Sequence, residues 1–332
     1  MPGKVRQGRV LPDGTCKSYK LNGIYLMFVL AALVAVAEAT DVFSLATIHR
    51  LFWPLFAVAN VSAVVFSAYL FIVGRRRSRR PVRSPGRRRE AWFGSELNPD
   101  LWGVDLKLFS YLPSLLGLWL INLSFAAEQW EDLGRLTTRM VLYQSFFTIY
   151  ILSTFHFEHG MLQMWDVVAE NFGWMLVWAD YVLVPFFYSI GGWYVLRNAE
   201  PMHAAEAAAL VALFAVGLWV FRGANEQKHR FKDDPQAKIW GRPAQEIGGK
   251  LLVSGFWGIG RKLNYTGELM VYLSWTICAG GESLVPYVLP LWLLVLLVHR
   301  AGRDEKRCQE KYGALWTEYS GRARFRMFPL LY

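Results

Sequence analysis

LLVLLVHRAGRDEKRCQEKYGALWTEY, residues 293–319, decides how the chain is read. Its first part closes an apolar run, residues 286–298, that stops at His299-Arg300. Arg303, Asp304, Glu305, Lys306, Arg307 and Lys311 follow at once. If the helix continues past that boundary, Arg300, Asp304, Cys308 and Tyr312 stack at four-residue steps along one face. Such a face, where a helix leaves apolar surroundings, suits an anionic cofactor held at the mouth of an apolar pocket. The plainer reading is a helix end whose charges only mark the water boundary. Spacing alone leaves both open.

Composition extends the membrane reading to the whole chain. Of 332 residues, 54% are hydrophobic and 16% aromatic, and the mean hydropathy is positive. The apolar residues come in blocks too long for core helices, each approaching the roughly 20 residues that cross a bilayer. Eight spans are expected, near 22–39, 51–74, 108–127, 140–157, 174–196, 207–221, 264–279 and 284–298. The fold class is therefore all-α, a polytopic membrane protein of about eight transmembrane helices. The net charge of +10 sits in the connecting segments. Lys and Arg are dense in 1–20, 75–107, 222–262 and 300–326, and with those four on one side every pair of intervening spans returns the chain correctly. Residues 1–20 are polar and precede a block long enough to span, so no cleavable signal peptide is expected. Cys16, Cys278 and Cys308 are far apart, which argues against a disulfide framework and against a zinc site.

Several polar groups stand out against that background. RRRSRRPVRSPGRRR, residues 75–89, carries nine arginines. It reads first as a loop obeying the positive-inside rule, and alternatively as a patch for anionic lipid. No aromatic residue interrupts it, so no nucleic-acid partner is expected. Arg222, Asn225, Lys228 and Lys232 follow a span, with Lys228 and Lys232 one turn apart and able to grip phosphates as point charges. Trp257, Arg261, Asn264 and Tyr265 offer an indole, a guanidinium and an amide to a flat ring carrying a carboxamide or phosphates. Tyr150, Glu158, Asp166 and Asp180 lie at or inside membrane depth, where acidic groups are costly and hence functional candidates. Gly255, Gly258 and Gly260 have the wrong order for a dinucleotide-binding loop, and no βαβ pattern surrounds them. Composition and spacing do not identify a cofactor.

GFWGIGRKLNYTGELM (255–270), then HR-x-x-RDE-x-RC-x-x-KYG-x-x-W-x-x-Y (299–319) and Pro329, resemble the C-terminal signature of the sterol reductases. That family comprises the Δ14- and Δ7-sterol reductases, the C-24(28) reductases and the corresponding part of the lamin B receptor. GRVLPDG (8–14), ELNP (96–99), DLK (105–107) and LINLSFA (120–126) are similar to further family segments. Members usually carry more spans upstream, so the chain reads as a shortened member or a fragment. Departures fall at Ser153, where many members have Asp, at DVVAEN (166–171), and at Ala179, where Gly is usual before Asp180.

The resemblance implies NADPH-dependent reduction of a ring C=C bond of a sterol. LINLSFAAEQ, KIWGRPAQEI and LLVSGFWG look nearer to the Δ7-reductases, while RGANEQK and GRDEKRC fit the Δ14-reductases as well; Δ7 is slightly favoured. By position, the NADPH pocket is expected to use Lys228, Lys232, Trp257, Arg261, Asn264, Tyr265, Arg300, Asp304 and Tyr312. Tyr150, Asp304 and Glu158 are expected to supply or organise the proton. A basic cytoplasmic lead (1–20) would precede one transmembrane reductase domain (21–332), with its cofactor part at about 222–332 and a basic loop at 75–107. Sterol and membrane lipid are the expected partners, and the endoplasmic reticulum the expected membrane in a eukaryote. Two alternatives stay open. RKLNYTG (261–267) is similar to a motif of isoprenylcysteine methyltransferases, although the motif's Pro is absent. The arginine run would instead suit a membrane anchor like the lamin B receptor.

Overall fold

A computed structural model describes residues 2–8, 10, 14, 16–77 and 86–331. The middle of the arginine run (78–85), and residues 11–13 of the turn in the basic lead, lie outside the described residues. The chain is mostly helical, and its sheets among the described residues are four two-stranded hairpins. It is an all-α polytopic membrane protein. Each apolar block became a helix: α1 (Gly23–Ala39), α2 (Phe52–Arg77), α3 (Leu106–Leu133), α4 (Thr138–His156), α5 (Trp174–Arg197), α6 (Ala204–Asp233), α7 (Leu263–Ile277) and α8 (Val288–Tyr312). A terminal helix α9 (Ala314–Arg322) follows. Among the described residues five helices, α2, α3, α5, α6 and α8, are long and apolar enough to cross a membrane. The helices at the other three expected positions are shorter, at 17, 19 and 15 residues. Two compact units divide the chain, residues 1–197 and 198–332.

In the first unit Asp105 fixes the start of α3. Its Oδ1 accepts from the backbone N–H groups of Lys107 and Leu108 at 3.1 and 3.2 Å, which satisfies two orphan donors of the first turn. Its Oδ2 accepts from Tyr19 Oη at 2.9 Å and Asn98 Nδ2 at 3.0 Å. The hairpin of Lys4–Gln7 and Ser18–Leu21 is thereby tied to the helix, and the polar lead has a structural task. Two residues on, Lys107 is fully buried. Its ammonium donates to the carbonyls of Asp166, Val167 and Glu170 at 2.9, 3.2 and 2.7 Å. Three carbonyls replace three waters, which is what lets a lysine sit there. The similarity of DLK to the family thus reports one cap and one cage.

LINLSFAAEQ is structural in the same sense. Asn122 is fully buried; its side chain accepts from Tyr143 Oη at 2.8 Å, and its carbonyl from Gln144 Nε2 at 2.6 Å. Gln129 donates to the carbonyls of Val195 and Leu196 and accepts from Thr137. These amides bind α3 to α4 and α5.

In the second unit α6 and α7 touch backbone to backbone. A Cβ placed on Gly267 would lie 2.5 Å from the Phe221 nitrogen and 2.7 Å from the Gly217 oxygen, and one on Gly217 would lie 2.8 Å from Met270. Small residues at such a crossing let helices approach where lipid provides no hydrophobic drive. Two hairpins, Lys238–Ile239 with Arg242–Pro243 and Glu246–Ile247 with Leu251–Leu252, link the helices. The second packs with Trp316, Tyr319 and Ala323 into a small core. Gly267→Ala is expected to lower stability by about 1–3 kcal/mol through overpacking, read as a fall in the thermal midpoint of the detergent-solubilised protein. An unchanged midpoint would mean that the crossing relaxes freely.

Candidate active site

The helix that leaves the apolar run does continue. α8 carries Arg300, Asp304, Cys308 and Tyr312 on one unbroken stretch, as the four-residue spacing requires. α6 likewise runs on to Asp233, so Lys228 and Lys232 stand at its polar end. Between them the chain turns sharply at Gly255 (φ +63°), where a Cβ would lie 2.3 Å from Gln227 Oε1. That oxygen accepts from the Phe256 N–H at 2.9 Å. The turn sets Trp257 against α6, with its Nε1 donating to the Ala224 carbonyl at 2.7 Å and its ring under the Lys228 ammonium, 4.5 Å from the centroid. A cation over an indole is a stable pair in a half-buried place. Lys232, one turn on, is exposed.

RKLNYTG then enters α7 and meets α8. The Lys262 ammonium donates to Asp304 Oδ2 in a close ion pair and lies 6.0 Å from the Tyr265 ring centroid. Burial opposes this ammonium, but its attraction to Tyr265 and Asp304 outweighs that and leaves it above the ordinary lysine value. Asp304 also feels Lys228 and Arg307, and Tyr265 feels Arg300. Asn264 Nδ2 donates to Asn225 Oδ1 at 3.2 Å, while its buried Oδ1 has no partner. An orphaned acceptor of this kind calls for a donor from a ligand or water. Lys228, Trp257, Asn264, Tyr265, Arg300 and Asp304 therefore gather in one region of the unit, with Lys262 added. Lys262 follows Arg261 directly in RKLNYTG, and nothing in the local spacing sets it apart from that neighbour.

Two predicted residues are placed differently. Arg261 is buried, and its Nε donates to Glu305 at 3.3 Å. One terminal nitrogen donates to the carbonyls of Ala323, Arg324 and Ser320 at 2.6, 3.2 and 3.4 Å. Tyr312 packs against the Trp316 and Tyr319 core and stacks near Trp316, centroids 6.4 Å apart.

In the first unit, Tyr150 is half-buried on α4, and its carbonyl accepts from Ser153 and Thr154. Glu158 follows the end of α4 and accepts from the Gly23 N–H at 3.0 Å, at the start of α1. Burial pushes its carboxyl up from the usual range, against the pull of that donor. Asp180 is buried in the π-helical middle of α5, within electrostatic reach of Asp166 and Lys107. Among the described residues, no group of three or more His, Cys, Asp or Glu could hold a metal.

The sequence profile of the ergosterol biosynthesis ERG4/ERG24 family matches residues 1–332. The chain is similar to proteins named Delta(14)-sterol reductase. The one from Arabidopsis thaliana is 39% identical, with all of this chain and 91% of the relative aligned. The one from Methylotuvimicrobium alcaliphilum is 37% identical over all of this chain and 79% of the relative, and that from Dictyostelium discoideum is 34% identical over 99% and 73%. The leaning towards Δ7 finds no support here. In the structure Asn122 and Gln129 of LINLSFAAEQ hold helices together, and KIWGRPAQEI supplies hairpin strands.

Lys262→Met and Asp304→Asn are each expected to destabilise by about 1–3 kcal/mol, because each leaves a charge short of its partner. The double variant should lose less than the sum. The Lys262 value is raised on folding, so the stability it contributes is present in full below the ordinary lysine range and is lost only as the pH climbs above it. The Lys262→Met deficit should therefore persist at pH 9 and shrink only as the pH climbs above the ordinary lysine range, measured by thermal denaturation.

Proposed function

The chain belongs to the ergosterol biosynthesis ERG4/ERG24 family and is a membrane sterol reductase, and from that premise we propose that it reduces the Δ14 double bond of a sterol with NADPH. The observation that carries the cofactor is the polar end of the second unit, where the residues fit the group. A half-buried ammonium (Lys228) rests on an indole, Lys262 and Arg300 add positive charge around Tyr265, and the Asn264 oxygen is buried and unpartnered. Cations suit phosphates, and an orphaned amide oxygen suits the N–H of a carboxamide. Lys228, Lys232 and Arg300 would hold the phosphates, and Asn264 and Tyr265 the nicotinamide end. When bound, the group supplies a hydride.

The protein must supply the rest. Saturating a C=C bond adds a proton to one carbon and a hydride to the other, and protonation leaves positive charge on the sterol that water must not reach. Tyr150 is the proton donor in this reading. Asp304, ionised by its pairing with Lys262, organises the cofactor end, and Glu158, held by the Gly23 amide, keeps a proton more readily than an exposed carboxyl. The names of the relatives support Δ14 as the bond reduced.

Purified protein with a sterol carrying a Δ14 double bond and NADPH is expected to yield the Δ14-saturated product by mass spectrometry, and to leave a Δ7 bond intact. Lys228→Ala should raise the KM for NADPH at least tenfold, and Tyr150→Phe should lower kcat by about a hundredfold or more. Turnover of the Δ7 bond instead, or binding of S-adenosylmethionine in place of NADPH, would overturn the proposal.

A further inference from the structure

The last residues of the chain lie against the stretch that the proposed cofactor site is made from. The Arg261 N–H donates to the Phe325 carbonyl at 2.9 Å and the Lys262 N–H to the Arg326 carbonyl at 2.6 Å. Gly260 and Phe325 form a parallel bridge. Thr266 Oγ1 donates to the Met327 carbonyl at 2.6 Å. Ala323 and Met327 are fully buried. Glu305 secures the arrangement from α8. It accepts from Arg261 Nε at 3.3 Å and from Trp316 Nε1 at 3.1 Å, and pairs with Arg326 at 3.5 Å. The tail thus lies alongside residues 260–262 and the first turn of α7, the segment that bears Lys262, Asn264 and Tyr265.

We propose that Arg261 is a positioning residue whose guanidinium clamps residues 320–324 against the start of α7, and that the C-terminal tail is a strap setting the place of Lys262, Asn264 and Tyr265. Arg261 contacts no ligand in this role. Its Nε and one terminal nitrogen already donate to Glu305 and to three carbonyls. A planar fork is what such a set of acceptors requires, and a lysine at this position supplies a point charge and no fork. A phosphate can also be held by lysine, as a point charge without the fork. The two roles therefore separate on the trypsin protection of the tail, which loss of a ligand contact alone would not change. The inference rests on the NADPH reading for its kinetic readout only, since the clamp itself can be probed without any cofactor.

Three forms are compared with wild type: Arg261→Ala, Arg261→Lys, and a chain ended after Arg322. All three are expected to raise the KM for NADPH at least tenfold with kcat changed much less. Arg261→Ala combined with the truncation should be no worse than the truncation alone. Trypsin should cleave after Arg324 and Arg326 sooner in Arg261→Ala and Arg261→Lys than in wild type. Thr266→Val, which removes only the bond to Met327, covers the case in which the larger changes do not fold; it should raise the KM several-fold. Wild-type affinity in Arg261→Lys, or in the truncated chain, would overturn the strap and return Arg261 to the ligand set. Failure of wild type to bind NADPH would refute the cofactor reading, and the trypsin comparison would still decide the clamp.

Discussion

The close approach of α6 and α7 at Gly217 and Gly267 is the constraint from which the second unit follows. With no side chain between the backbones, the polar end of α6 and the start of α7 come near enough for Asn225 to reach Asn264. Gln227 then caps the turn that leads to Trp257. Residues 222–232 and 257–265 look like two separate charged loops in the sequence. The glycine crossing makes them one surface.

Two adjacent bases face two adjacent acids on that surface. Lys262 pairs with Asp304, and Arg261 with Glu305. Side by side in sequence, the pairs have different surroundings. Lys262 and Asp304 sit near Lys228 and Tyr265, so their charges shape the proposed cofactor end. Arg261 and Glu305 face the tail and its carbonyls, so theirs are consumed in holding the chain. Asp304 is the carboxylate among an excess of cations, which leaves net positive charge for an anionic ligand. The sequence already carries the excess, with nine Lys and Arg against four Asp and Glu in residues 222–262.

Long apolar runs made the helices legible, and the four-residue steps from Arg300 to Tyr312 correctly implied a helix that outlasts its apolar half. Residue type could identify cations suited to phosphate but not what each would touch. Arg261 meets carbonyls about sixty positions away, a contact that local spacing does not encode. Lys262 was overshadowed by its neighbour, and Lys107 stood out only as part of a motif, since nothing local announces the three carbonyls that enclose it. Asn122 and Gln129 illustrate the converse, where polar residues inside an apolar run join α3 to its neighbours.

α5 changes its winding between Ala179 and Phe187. A π-turn accommodates an extra residue relative to the α-helix, and each residue so inserted swings everything beyond it by about 100° around the axis. Ile190, Trp193 and Arg197 therefore stand where an uninterrupted α-helix would not have sent them, and Trp193 meets His49 and Phe125 as a result. A chain shortened by one residue inside this segment could keep its composition and its span, yet present a different aromatic face to the rest of its bundle.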